Sequence, residues 1–287
     1  MTEPSAAAQE QPFDRLGTLA LGQSLPERPE RYLRFNALVG TVVVPLLLWM
    51  NPAHPEKLTV LTNGAVGREE GKSPWEVFQR RTWVEKIRST CLFVADPTLS
   101  PENSIRIGWG QGSKHGYAIP AMSQAVLWVA SLLNVDPENR LYYGSSSGGF
   151  QAMQLAARDA GAQVLVNNPQ VDWSKYLPGY VRRVAQDVYG TAEIDDVIAR
   201  WPSRVQVTQA FHELGHLPKL RMLVNAASRN DIAEQLPAFA QGLGALESWT
   251  ATDHVEIEVY HHEALGHMPL HQPRTVREIH RALEMRS

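Results

Sequence analysis

"LYYGSSSGGF", Leu141 to Phe150, decides how this chain is read. A short apolar run stops at Gly144, three serines follow, and Gly148-Gly149 opens "FQAMQLAARDAG", a segment rich in helix formers that ends at Gly161. Within it, Gly144-Ser145-Ser146-Ser147-Gly148 matches G-x-S-x-G. At a strand-to-helix turn of that pattern the middle serine takes a strained backbone conformation. Its neighbours must be small because other backbone passes close by, and the first amides of the helix point at the site. The pattern therefore selects Ser146, gives the Ser147 N–H an oxyanion role and requires only smallness of Ser145. The same letters also suit a Ser/Gly loop or a phosphate-cradling turn at a helix start. No Lys-Ser/Thr pair follows the glycines, which argues against a P-loop.

Working outward, the neighbouring segments set this turn in an alternating order. "YLRFNAL" and "TVVVPLLLWM" read as early strands parted at Val39-Gly40, with Pro45 calling for an edge position or a bulge. "KLTVLTNGAV" gives a strand over Leu58 to Thr62 that runs into the turn signal Asn63-Gly64. A helix is expected around Trp75 to Ile87, then "TCLFVADPTL", a continuous apolar run of the kind a parallel strand covered on both faces shows. Apolar residues from Ile119 to Leu133 follow the helical repeat, and "QVLVNNP" is a further buried strand. The order is that of an α/β fold with a mostly parallel central sheet flanked by helices.

The next strand, "LRMLVNA", comes only after a long segment, far beyond an ordinary connection. Residues 178–217 of it are expected to be an inserted helical cap over a site, or an extra helical layer. "HVEIEVY" alternates Val255, Ile257 and Val259 with Glu256 and Glu258, so one face is expected to be wet. A last helix begins near Pro273, with Val276, Ile279 and Leu283 inward. Residues 1–12 are expected to be a flexible tail and 13–287 one domain.

The bulk numbers narrow the class. Net charge is -3 from 27 basic and 30 acidic residues with no basic stripe, which gives nucleic-acid binding no support. The one cysteine, Cys91, lies in an apolar strand, so it reads as a buried thiol; it excludes an internal disulfide and a cysteine metal cluster. The longest apolar stretch, Ala37 to Met50, is interrupted by Gly40 and Pro45 and too short to insert in a bilayer, and the N-terminus has no apolar signal region. The expectation is a soluble, cytoplasmic protein. His212 and His216 have i, i+4 spacing, but "HELGH" contains a helix-weakening glycine and offers no third ligand, so no metal site is expected.

With Ser146 in that setting, the chain resembles the α/β-hydrolase superfamily from about Leu58 to its C-terminus. The resemblance implies a triad in the order serine, acid, histidine, with the acid after a late strand and the histidine after the last one. "LRMLVNAASRNDIAEQ" offers Asp231 and "VEIEVYHHEALGHMPL" offers His267, which lies between Gly266 and Pro269 in a shaped loop. His267 is then the general base and Asp231 its orienting partner. Asp231 also suits a helix N-cap before Ile232; Asp172, Asp253, His261 and His262 are the nearest competitors for the two roles.

The second oxyanion donor is expected at "TNGAV", on the N–H of Gly64 or Ala65, with Ala65 preferred. Trp109, His115 and Tyr117, in the glycine-rich loop after the Cys91 strand, either line a substrate pocket or pack that loop. The function implied is a serine hydrolase of an ester or related acyl bond, acting on a small-molecule acyl substrate without metal or organic cofactor. An acyltransferase with an alcohol or sugar acceptor, and a non-catalytic binding member of the fold, remain the alternatives.

Overall fold

A computed structural model describes residues 13–27, 31–246 and 254–284. The expected tail at residues 1–12 lies outside the described residues, as does Asp253.

Nine strands form one sheet: β1 (Phe13–Ala20), β2 (Tyr32–Val39), β3 (Val42–Trp49), β4 (Leu58–Thr62), β5 (Thr90–Val94), β6 (Arg140–Ser146), β7 (Gln163–Pro169), β8 (Lys219–Asn225) and β9 (Val255–Tyr260). Their spatial order is β1-β2-β3-β5-β4-β6-β7-β8-β9. Only β3 runs against its neighbours; every other pair among the described strands is parallel. Strand β4 therefore lies at the centre, and the chain ends of β4, β6, β7, β8 and β9 gather along one sheet rim, where α/β folds place their sites.

The helices are α1 (Ala118–Leu132), α2 (Ser147–Ala156), α3 (Pro178–Tyr189), α4 (Ile194–Arg200), α5 (Pro202–Val205), α6 (Val207–Leu214), α7 (Leu236–Gly244) and α8 (Gln272–Glu284). One apolar cluster joins Val60, Leu92, Tyr142 and Val164 to α1, α2, α6 and α7. The other joins Leu61, Phe93, Tyr143 and Leu165 to Val276, Ile279 and Ala282 of α8. Alternate residues of one strand thus enter opposite clusters, which is why β4 and β5 read as unbroken apolar runs. Cys91 is buried in the second cluster, and burial pushes its thiol up to about 12. No helix of the described residues is long and apolar enough to cross a membrane.

Four details depart from the sequence reading. Strand β1, which pairs with β2, has no apolar run to announce it. Pro45 lies inside β3, an interior strand, without a bulge. Its carbonyl accepts the Ala95 N–H, so its nitrogen faces the β5 side just beyond the Leu46–Val94 pair, where the β3–β5 ladder stops. The helix expected over Trp75 to Ile87 is two short 3₁₀ segments, Pro74–Glu76 and Arg81–Lys86, separated by Arg80 in the left-handed region at φ 68°. In β9 neither face is closed off: Val255 packs against the core while Ile257 and Val259 are exposed. Glu256 and Glu258 turn to Arg221, which is 3% exposed and also holds Glu278 of α8, while Val259 is 52% exposed. A buried guanidinium needs carboxylates more than a sheet edge needs two more aliphatic contacts.

Candidate active site

Strand β6 ends in the serine run, and the backbone turns at Ser146 with φ 56° and ψ −129°, a conformation L-residues reach only under strain. The glycines around it are dictated by space. A Cβ on Gly144 would stand 2.2 Å from the Gly148 carbonyl oxygen, and one on Gly148 would stand 2.9 Å from the backbone of Asn63. Ser146 thereby stands at the tip, where α2 begins.

The three serines have separate surroundings. Ser145 Oγ accepts from Arg80 Nη2 at 2.6 Å, and that guanidinium lies against the rings of Tyr143 and Trp83. Ser147 Oγ is buried with no hydrogen-bond partner among the described residues. Ser146 Oγ alone meets His267, 2.9 Å from Nε2. On the far side of the imidazole, Nδ1 lies 2.8 Å and 3.0 Å from the two carboxylate oxygens of Asp231. A carboxylate can only accept, so Nδ1 carries the proton and Nε2 is left to take the serine hydroxyl. Asp231 is 1% exposed, whereas the His267 side chain is 31% exposed, so the histidine and serine are reachable from solvent.

Asp231 is no helix cap. It opens a π-helical turn, Asp231–Gln235, whose closing bond runs from the Leu236 N–H to the Asp231 carbonyl; Asn230 before it is already helical. Such turns insert a residue into an α-helix and commonly occur at functional sites.

The first turn of α2 leaves the Ser147 N–H without an intrahelical partner. Of the two candidates in the loop after β4, Gly64 gives its N–H to Gln79 Oε1 at 2.9 Å, while Gln79 Nε2 donates to the Ala65 carbonyl. Gln79 thus takes the Gly64 amide out of play and leaves the Ala65 N–H without a protein acceptor among the described residues. Gly64 itself packs 3.8 Å from Ser146 Cβ, measured from an ideal Cβ on the glycine.

No family model and no curated protein sequence matches this chain. Solved structures do. The capsule O-acetyltransferase of Neisseria meningitidis serogroup A matches with a TM-score of 0.61 at 13% identity, over 86% of this chain and 95% of that one. Carboxyl esterase 2 of the mycorrhizal fungus Tuber melanosporum matches at 0.57 and 14% identity, over 91% and 90%. An esterase of Rhizomucor miehei matches at 0.56 and 15% identity, over 90% and 85%. The chain has the α/β-hydrolase fold.

Within that fold, three buried asparagines hold the histidine loop, and nothing in the sequence reading singled them out. Asn168, at φ 45° at the end of β7, donates to the carbonyls of His267 and Met268. Asn225, at the end of β8, donates to the carbonyls of His262 and Gly266 and accepts from the His262 N–H. Asn167 accepts from the Leu270 N–H at 2.7 Å. Gly266 takes φ 49°, which lets the chain turn immediately before His267. The available signal was "LVNNP" and "MLVNA": apolar strands ending in amides, easily mistaken for turn formers.

Gln170 was also missed. It is fully buried and its Nε2 lies 3.0 Å from Ser146 Oγ. Trp109 donates its indole N–H to Gln170 Oε1 and stacks on Trp173 at 5.3 Å; it is completely buried. Tyr117 precedes α1 with Arg204 over its ring at 4.8 Å, and His115 is exposed on the turn between Ser113 and Gly116. The structure therefore separates these three expected pocket residues: Trp109 lies behind the serine, and the other two pack or cap their loop. A cavity of about 350 Å³ lies instead between Ile105, Ile107, Leu177 and Tyr180, flanked by Arg106 and Arg183. Tyr180 leads from it to Tyr176, whose ring centroid is 6.0 Å from that of His267. His212 is exposed and His216 half-buried, and no group of metal-ligating side chains occurs among the described residues.

Proposed function

We propose that this protein is a serine hydrolase that cleaves a carboxylic ester through an acyl-enzyme on Ser146. The observation that carries the reading is the unbroken contact from Asp231 through both nitrogens of His267 to Ser146 Oγ. In the first half-reaction Oγ attacks the ester carbonyl carbon as its proton passes to His267 Nε2, and Asp231 stabilises the resulting imidazolium. The oxygen of the tetrahedral intermediate takes the negative charge, with the Ser147 and Ala65 N–H groups as its donors. Collapse breaks the bond to the alcohol, which leaves with the proton from His267. Water repeats the sequence and releases the acid. The acyl or alcohol portion occupies the cavity beside Tyr180, whose size of about 350 Å³ suits a small ligand.

Acyl transfer is a second reading with the same first half-reaction, in which an alcohol replaces water. The likeness to a capsule O-acetyltransferase over 86% of this chain favours it, and a mutant of that enzyme has been solved in complex with CoA.

An alkyl fluorophosphonate tests the shared step. Labelling of the wild type and its loss in Ser146→Ala, with Ser145→Ala and Ser147→Ala still labelled, supports the reading; an unlabelled folded wild type sinks it. Turnover of p-nitrophenyl acetate with and without an added sugar then separates the two fates: free acetate marks a hydrolase, and acetylated sugar at the expense of acetate marks a transferase.

A further inference from the structure

Resting on the serine reading above, we propose that Gln170 is a further catalytic residue: its side-chain amide donates to Ser146 Oγ and fixes the direction in which the serine proton leaves. The orientation of that amide is set by chemistry on both sides. Trp109 Nε1 can only donate, and it points at one end of the Gln170 amide, so that end is the oxygen. The other end, the NH₂, faces Ser146 Oγ at 3.0 Å. Ser146 therefore receives one hydrogen bond from Gln170, and its own hydrogen has His267 Nε2, 2.9 Å away, as acceptor.

The result is a line of hydrogen bonds with a single polarity: Trp109 to Gln170, to Ser146, to His267, to Asp231. A donor-only group begins it and an acceptor-only group ends it. Little freedom remains in the line. Gln170 is fully buried, its N–H donates to the Ser146 carbonyl at 3.1 Å, and the next two amides, of Val171 and Asp172, both donate to Gln235 Oε1.

The catalytic consequence follows from charge. As the Oγ–C bond forms and the proton moves to His267, negative charge passes through Oγ, and a hydrogen bond to it strengthens. In the acyl-enzyme Oγ is an ester oxygen, a weak acceptor, so the contact relaxes. When the second half-reaction breaks that bond, Oγ is the leaving atom and the contact strengthens again. Gln170 thus favours both transition states over the intermediate between them and transfers no proton itself.

The test follows the pH profile of Ser146 phosphonylation by an alkyl fluorophosphonate, a step that forms an Oγ–P bond, expels fluoride and passes the serine proton to His267. Gln170→Ala is expected to slow labelling about 10- to 100-fold, less than the roughly 100- to 1,000-fold cost of losing an oxyanion-hole donor, because charge only passes through Oγ. Gln170→Glu carries the sharper signature. Ionised, the new carboxylate is an acceptor that competes for the serine proton, so at pH 8 this variant labels more slowly than Gln170→Ala. Protonated, its O–H replaces the lost donor while its carbonyl still accepts from Trp109. Burial raises the carboxyl, so the rate ratio of the Glu variant to the Ala variant rises as pH falls from 8 to 5.5. Trp109→Phe, which removes the orienting donor along with part of the ring stacked on Trp173, slows labelling while Gln170 is intact.

A structural role alone would slow labelling only in step with lost stability, so the Tm of each variant is read beside its labelling rate, and a slowed Gln170→Ala at wild-type Tm marks the lost donor. Labelling of folded Gln170→Ala within threefold of wild type, or a flat ratio across that pH range, overturns the proposal and leaves the serine reading intact. A wild type that does not label at all ends both.

Discussion

Asn168 and His267 are joined by a hydrogen bond of 3.2 Å from the side-chain amide of the first to the main-chain carbonyl of the second. The strand that neighbours the serine strand thereby holds the loop carrying its histidine partner. Asn225, one strand further on, holds the start of that loop and the residue before His267.

The first prediction concerns that clamp. Asn225 is fully buried, and Asn225→Ala strands the carbonyls of His262 and Gly266 and the His262 N–H. Each buried orphan costs about 1–3 kcal/mol, so a clear fall in Tm is expected. Loss of the histidine position lowers kcat on p-nitrophenyl acetate at least tenfold and leaves KM within about threefold. A variant that loses stability but keeps kcat would show that the loop holds His267 without Asn225.

Strain at the serine gives the second. Ser146→Gly and Ser146→Ala both abolish turnover, but glycine alone accepts φ 56° without penalty. Relief of roughly 1–3 kcal/mol of strain is offset by about 0.4–1 kcal/mol of added freedom in the unfolded chain. The glycine variant is therefore expected to be about 1 kcal/mol more stable than the alanine variant by denaturant titration. Equal stabilities would mean that the turn is unstrained.

The third prediction sets two glycines side by side. A Cβ at Gly148 meets backbone atoms of Thr62 and Asn63 at 2.9 Å, whereas one at Gly179, in α3, has open space. Gly148→Ala is expected to destabilise by about 1–3 kcal/mol, the usual range for overpacking. It also pushes the Asn63–Ala65 loop away from Ser146 and slows fluorophosphonate labelling. Gly179→Ala, at a helical position with open space, is expected instead to stabilise by about 0.4–1 kcal/mol.

The fourth is a pH dependence of stability. Burial, with the charge of Arg88 beside it, lowers His280 from 6.5, and its Nε2 accepts the Arg88 N–H, which requires the unprotonated ring. Burial lowers His216 as well. A histidine lowered in the folded chain takes up its proton more readily unfolded, so its contribution to stability is complete well above about pH 6.5 and is lost progressively below it until pH falls through the lower folded-state value. His216→Gln combined with His280→Gln is expected to lose less Tm between pH 7.5 and 5 than wild type. An equal loss in both proteins would remove these two residues from the acid response.

What the sequence disclosed and what it concealed divide along the range of the forces involved. Ser146 was legible from G-x-S-x-G, a signal contained within five positions, and Asp231 and His267, which the structure brings beside it, from the acid-then-histidine order that the resemblance implies after late strands. The role of Glu256 and Glu258 in β9 was illegible because Arg221, which they hold, lies on another strand. Gln170 and the three asparagines were illegible for a related reason: a buried amide is defined by partners distant in sequence, and its local pattern is that of a turn. Arg80 broke the expected helix after Trp75 through a left-handed backbone that no propensity announces.

The π-helical turn at Asp231–Gln235 has a consequence for how such a site can be lost. Deleting one residue from that turn would leave a regular α-helix running on into α7, a gain in local order. The same deletion would rotate the residues before it by about 100° around the helix axis relative to those after it. With α7 fixed by its packing, Asp231 would swing off the imidazole. A single-codon deletion could thus turn this protein into a relative that keeps its serine and histidine and lacks a carboxylate beside the imidazole.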